Sequence, residues 1–196
     1  MTQTEKSREH KTPGLRRKSL ILRSTAVLPA MFTLANGLFG FGAIYLAMHD
    51  RPAQDYSNLA TAAWFIYLAM VCDMLDGRLA RWARKTSDFG AQLDSLCDSV
   101  SFGVAPGILM IQTVLAALQA SPEHSMRHFL MDFQATERVL WCIGAAYMAC
   151  AILRLARFNV ENVPDESAHM NFRGLPSPGA AAVVAAMMLL FVHLEN

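Results

Sequence analysis

An all-α, polytopic transmembrane helix bundle is the fold class this sequence predicts, and three observations predict it. Of the 196 residues, 54% are hydrophobic and 17% charged, with a mean hydropathy of +0.27. The apolar residues gather into runs of about 20, the length at which a helix crosses the hydrocarbon of a bilayer. Those runs lack the period-2 alternation that a membrane β-barrel requires. Five spans are expected, at residues 29–48, 59–80, 94–118, 138–157 and 178–194.

The formal net charge of +1 conceals a strong asymmetry. Among the first 28 residues, Lys6, Arg8, Lys11, Arg16, Arg17, Lys18 and Arg23 stand against two acids. The positive-inside rule therefore places the amino terminus in the cytoplasm. With that choice 14 basic residues fall on the cytoplasmic side, and Arg51, Arg127 and Arg138 on the other. Residues 1–13 read as disordered. The stretch "GLRRKSLILRSTAVL" (14–28) suits a basic amphipathic helix lying on anionic headgroups, a purely topogenic tail being the plainer reading. No cleavable signal pattern occurs, since the first apolar stretch is long and others follow it. The expected division is a tail with interfacial helix over 1–28 and a membrane domain over 29–196.

Each span carries its own marks. The first holds Thr33 and Asn36, one turn apart, where polar side chains serve as interhelical hydrogen bonders. The second ends with Asp73 and Asp76, followed by the basic stretch and turn "GRLARWARKTSDFG". Its helix should stop near Arg84 or Lys85, and the next should begin near Ser87, an N-cap residue. So short a connection makes these two helices antiparallel neighbours. The third span opens with Asp94 and Asp98, and its Gly103 and Gly107 suit close helix packing. The fourth ends at Arg154 and Arg157, which read first as anchors at the cytoplasmic boundary. The fifth begins at Ser177-Pro178, an N-cap followed by Pro at the first helical position. Cys72, Cys97, Cys142 and Cys150 all lie in spans, where a thiol is a small buried hydrophobe. No CxxC pair occurs, so neither a disulfide framework nor a zinc site is expected. The six histidines fall in or beside loops and receive no chemistry.

The carboxylates demand an explanation. Asp73 and Asp76 are three apart, and Asp94 and Asp98 four apart, so each pair shares a helical face. A lone acid near the middle of a span costs roughly 2.5–3.5 kcal/mol on insertion scales, and four together also repel. Protonation, pairing with Arg or a divalent cation would neutralise them. Oxygen donors without thiol or imidazole favour hard ions, Mg²⁺ or Mn²⁺, and four aspartates suffice for two. From Ala60 to Asp76 is about 24 Å of helix, and from Asp98 to Leu118 about 30 Å. The acids therefore sit near the cytoplasmic edge of the hydrocarbon, where water-soluble and lipid-soluble reactants meet. Gly77 and Gly90 leave the helix walls bare beside them, for a ligand or for close packing. Arg81 carries a fork of donors suited to a phosphate. Metal-binding acids and Arg beside an opening describe a phosphoryl-transfer site.

The pattern D73-x2-D76-G77-x2-A80-R81-x8-G90-x3-D94-x3-D98 resembles the signature of the CDP-alcohol phosphatidyltransferases without gap or substitution. The resemblance implies membrane enzymes that displace CMP from a CDP-linked lipid or alcohol. It implies that Asp73, Asp76, Asp94 and Asp98 hold Mg²⁺ or Mn²⁺, two ions in all, with Asp98 also the general base. Gly77, Ala80, Arg81 and Gly90 would form the nucleotide and diphosphate pocket. Outside the signature, "LPAMFTLANGLFGFGAIYLA" (28–47), "RLARFNV" (154–160) and "FRGLPSPGAAA" (172–182) are similar to the serine-using branch, the type II phosphatidylserine synthases. In that branch Thr33 and Asn36 would face the nucleotide, and Arg154, Arg157, Asn159 and Arg173 would border the acceptor site.

The implied reaction moves the phosphatidyl group of CDP-diacylglycerol to the hydroxyl of L-serine. Direct attack is favoured over an enzyme intermediate, because all four acids are already assigned and no activated Ser, His or Cys is evident, but the sequence leaves both routes open. Glycerol 3-phosphate and an inositol phosphate remain alternative acceptors, and a divalent-cation transporter remains a rival of another class. The resemblance further implies a homodimer in a bacterial-type cytoplasmic membrane, surrounded by membrane lipid, with the active site on the cytoplasmic side and no nucleic-acid partner. It also implies six membrane helices where five can be counted, so a chain cut short at its carboxyl end is one expectation.

Overall fold

The computed structural model describes residues 13–49, 55–83, 88–120, 133–161 and 176–195, with side chains resolved over somewhat shorter stretches of these. Every element among the described residues is helical: α1 (Pro13–Met48), α2 (Ser57–Ala83), α3 (Asp88–Asp98), α4 (Ala105–Ala120), α5 (Phe133–Glu161) and α6 (Ser177–Glu195). A π-helical turn, Ser99–Val104, joins α3 to α4. Five helical stretches are long and apolar enough to cross a membrane: Pro29–Met48, Ser57–Leu79, Phe89–Leu118, Ala135–Val160 and Ser177–Glu195. They coincide with the five expected spans. The third starts earlier than expected, because its polar opening, "FGAQLD", is helical too.

The stretch 14–28 is helical as its pattern suggests, and continuous with the first span rather than separate from it. Pro29 lies inside α1. Lacking an N–H, it leaves the Thr25 carbonyl without its helical donor, a weak point at the start of the first span. The proposed cap at Ser87 lies outside the described residues.

The core combines many small side chains with a few large apolar ones, while many other large apolar side chains face outward. Ala43, Ala47, Ala62, Ala63, Ala69, Ala181 and Ala185 are essentially inaccessible, together with Leu59, Ile66, Phe102 and Leu109. Leu38, Phe41, Trp64, Leu68, Met187 and Leu190 lie exposed on the outside. Lipid tails are as apolar as Leu, so helices in a bilayer gain by close van der Waals packing, which small residues permit. α1 packs most extensively on α2, where Phe39 and Phe65 meet edge to face at 5.7 Å. The Gly107 expectation is met within the chain: a Cβ there would stand 3.2 Å from the Gly144 carbonyl oxygen, so α4 and α5 touch backbone to backbone.

The π turn shapes the third span. The Ala105 N–H reaches back to the Val100 carbonyl, the wider hydrogen-bond step of a π helix. That step inserts one extra residue into the turn and rotates the helix after Asp98 relative to the helix before it. Ser101, Phe102 and Gly103 are all buried there. The Tyr147 hydroxyl on α5 donates to the Phe102 carbonyl at 3.3 Å.

Candidate active site

The later part of α2 and the early part of α3 bring three of the signature acids together. Asp73 and Asp76, three residues apart near the end of α2, and Asp94 of α3 each offer an oxygen within 4.8 Å of the others. Asp76 is buried, and Asp73 and Asp94 are partly so. Asp76 Oδ2 and Asp94 Oδ1 are buried with no hydrogen-bond partner. An orphaned buried acceptor costs about 1–3 kcal/mol, and more if it carries charge. Three converging hard oxygen donors, two of them with an unsatisfied oxygen, fit a divalent cation of the Mg²⁺ or Mn²⁺ type.

Asp98, one turn beyond Asp94 and 7% exposed, stands outside that trio. The Asn36 side-chain amide of α1 donates to Asp98 Oδ1 through Nδ2 at 2.8 Å, in a buried bond. The Ser101 hydroxyl in the π turn donates to the Asn36 backbone carbonyl at 2.9 Å. Thr33, one turn earlier on α1, is buried beside Asp76 and donates its hydroxyl to the Pro29 carbonyl at 3.1 Å. α1 thus supplies one polar neighbour to each acid pair. Asn36 takes the interhelical hydrogen-bonding place that its position in a span suggests, whereas the Thr33 hydroxyl bonds back within α1.

Glycines explain the close approach. A Cβ on Gly37 would sit 2.9 Å from Cys97 Sγ, and one on Gly40 only 2.7 Å from Ser101 Cα. Side chains at these positions would push α1 off the helix that carries Asp94 and Asp98. Gly77 is different: a Cβ there meets nothing within 4 Å, so next to Asp76 there is open space rather than packing. Gly90 lies half-buried on α3, one turn before Asp94.

Among the remaining expected residues, Ala80 and Arg81 continue α2 past Gly77, with their side chains outside the described set. Arg173 also lies outside the described residues. Arg154 of α5 is half-buried and donates through Nη1 to the Ser177 hydroxyl at 3.1 Å, joining α5 to the first residue of α6. Arg157 is exposed at the same end of α5. Asn159 donates through Nδ2 to the Ser95 hydroxyl at 2.7 Å, and Ser95 in turn donates to the Ala91 carbonyl. This brings α5 against the residue after Asp94. The π turn, Ser95 and Ser101 escape the sequence reading. Their only trace is the row of serines in "SLCDSVS", unusual in an apolar span.

A sequence profile of the CDP-alcohol phosphatidyltransferase family matches residues 26–195. The chain belongs to the CDP-alcohol phosphatidyltransferase family. Its similarity to individual members is moderate and extensive. It is 35% identical to a CDP-diacylglycerol–serine O-phosphatidyltransferase of Saccharomyces cerevisiae, over 79% of this chain and 51% of the relative. It is 36% identical to the enzyme of that name from Methanocaldococcus jannaschii, over 78% of this chain and 63% of the relative. With that of Mycobacterium bovis the identity is 29%, over 84% and 49%. The chain thus spans about half the length of the first of these relatives. No solved structure matches it. The segment that the family profile matches contains the acid trio, Asp98 and the α1 residues beside them. The trio is an acidic cluster able to hold a metal ion.

Proposed function

We propose that this chain transfers the phosphatidyl group of CDP-diacylglycerol to the hydroxyl of L-serine, giving phosphatidylserine and CMP. The observation that carries the reading is the convergence of Asp73, Asp76 and Asp94, with unsatisfied oxygens on Asp76 and Asp94, and Asp98 held separately one turn away. The names of the similar proteins support serine as the acceptor.

Asp73, Asp76 and Asp94, with Asp98 at the margin, would hold two Mg²⁺ or Mn²⁺ ions. Bound there, the ions would offset the negative charge of the diphosphate and of the departing CMP. Asp98 takes the proton of the acceptor hydroxyl as its oxygen attacks the lipid-side phosphorus. The bond from that phosphorus to the oxygen of CMP breaks, and CMP leaves with the bonding pair. The open space at Gly77 admits the diphosphate and nucleotide beside Asp76, and Ala80, Arg81 and Gly90 are the further residues proposed to bind them. Arg154 spends one N–H on Ser177 and has others to spare, since a guanidinium carries five. With Arg157 and Asn159 it borders the end of the bundle where the acceptor's carboxylate would dock, and Arg173, outside the described residues, would join them as an acceptor ligand. The site lies on the cytoplasmic side of a bacterial-type membrane, and the protein works as a homodimer.

The test is CMP release from CDP-diacylglycerol by purified protein with Mn²⁺ or Mg²⁺ and one acceptor at a time. Serine should support turnover, and chelation by EDTA should abolish it until metal is restored. Turnover with glycerol 3-phosphate or an inositol phosphate but none with serine would overturn the acceptor assignment while keeping the chemistry.

A further inference from the structure

We propose that Asn36 is a positioning residue for Asp98, aiming the carboxylate that takes the acceptor's proton rather than touching the nucleotide. The inference rests on the transferase reading above.

Asn36 is 0% exposed, so substrate has no access to its amide in this arrangement. Its Nδ2 is engaged by Asp98 Oδ1. Its own Oδ1 is buried with no hydrogen-bond partner. Turning the amide over would not relieve that atom, because it would set Oδ1 against an Asp98 oxygen, acceptor to acceptor. The bond to Asp98 therefore fixes the amide's orientation, and one Asp98 oxygen is held while the other is left for the proton. The backbone beneath the amide is fixed as well. The Ser101 hydroxyl holds the Asn36 carbonyl, and Gly37 and Gly40 let α1 lie directly on Cys97 and Ser101, on either side of Asp98. A hydrogen-bonded clamp on a buried carboxylate, built by a helix that contributes no acid of its own, serves orientation.

The experiment compares Asn36→Leu, close in size but without a donor, with Asn36→Ser, which keeps a shorter donor. Each is assayed for CMP release with serine, glycerol 3-phosphate and an inositol phosphate, and for thermal unfolding in detergent. Misplacing a reacting group by about 1 Å costs on the order of 100-fold, so Asn36→Leu should lower kcat by about 10- to 100-fold. KM for CDP-diacylglycerol should stay within about threefold of the parent, and Asn36→Ser should recover part of kcat. Because Asn36 acts through Asp98, adding Asn36→Leu to Asp98→Asn should cost nothing more.

A raised KM with unchanged kcat would make Asn36 a nucleotide contact and overturn the proposal. So would a loss of activity that merely follows the loss of folded protein. A further drop in the Asp98→Asn background would overturn it too, and where that background is too slow to read, the kcat–KM split decides alone. Activity with another acceptor but not serine moves the acceptor assignment and leaves this test intact. No CMP release with any acceptor overturns both.

Discussion

Gly77 separates two explanations that sequence leaves open for a glycine beside a carboxylate: packing and room for a ligand. A Cβ there touches nothing within 4 Å, so packing does not require it. Alanine in a helix interior is favoured over glycine by about 1 kcal/mol. Gly77→Ala should therefore hold or raise Tm, while the added methyl beside Asp76 lowers turnover and raises KM for CDP-diacylglycerol. Thermal unfolding and CMP release measured on one preparation check it, and a lowered Tm with intact turnover would contradict the role. The acids themselves are legible in the sequence because helical spacing alone pairs them, Asp73 with Asp76 and Asp94 with Asp98. What holds Asp98 is not legible, since its partner lies 62 residues away on α1. Only the packing of α1 against the π turn makes them neighbours. The same holds for Asn159 and Ser95, 64 residues apart.

At the scale of elements, hydropathy locates the five spans but is blind to the π turn. An average over some 20 residues does not register one extra residue per turn, and "SVSFGV" has no composition that sets it apart. Its consequence is mechanical: Asp98 ends α3 while Ser101, just beyond, meets α1 at Gly40. The Gly40 contact is with backbone, the Ser101 Cα at 2.7 Å from a Cβ position, so no side-chain rotation relieves it. Gly40→Ala should force α1 away from the turn, weakening the Ser101–Asn36 and Asn36–Asp98 bonds together. Tm and turnover should then fall in step, the reverse of the split expected at Gly77. A Gly40→Ala protein with parental Tm and kcat would show that α1 does not rest on the π turn.

At the scale of the whole molecule, the helix directions and the charges give one answer. α2 ends and α3 begins at the acids. The Asn36–Asp98, Asn159–Ser95 and Arg154–Ser177 bonds bring α1, α5 and α6 to the same end of the bundle. By the positive-inside rule, the 14-to-3 division of basic residues predicts that this end faces the cytoplasm. Asp55, exposed just before α2, lies at the opposite end, and Asn159, exposed near the end of α5, lies at the acid end. Single cysteines at these two positions in a cysteine-free background, Asp55→Cys and Asn159→Cys, therefore report orientation directly. In right-side-out vesicles a membrane-impermeant maleimide should label Asp55→Cys at once and Asn159→Cys only after the membrane is opened. With that pattern, CDP-diacylglycerol and a water-soluble acceptor would meet at the inner surface, beside Asp98. The opposite labelling pattern would place the acids outside. The basic residues would then have failed to orient the chain, and the cytoplasmic site would fall with them.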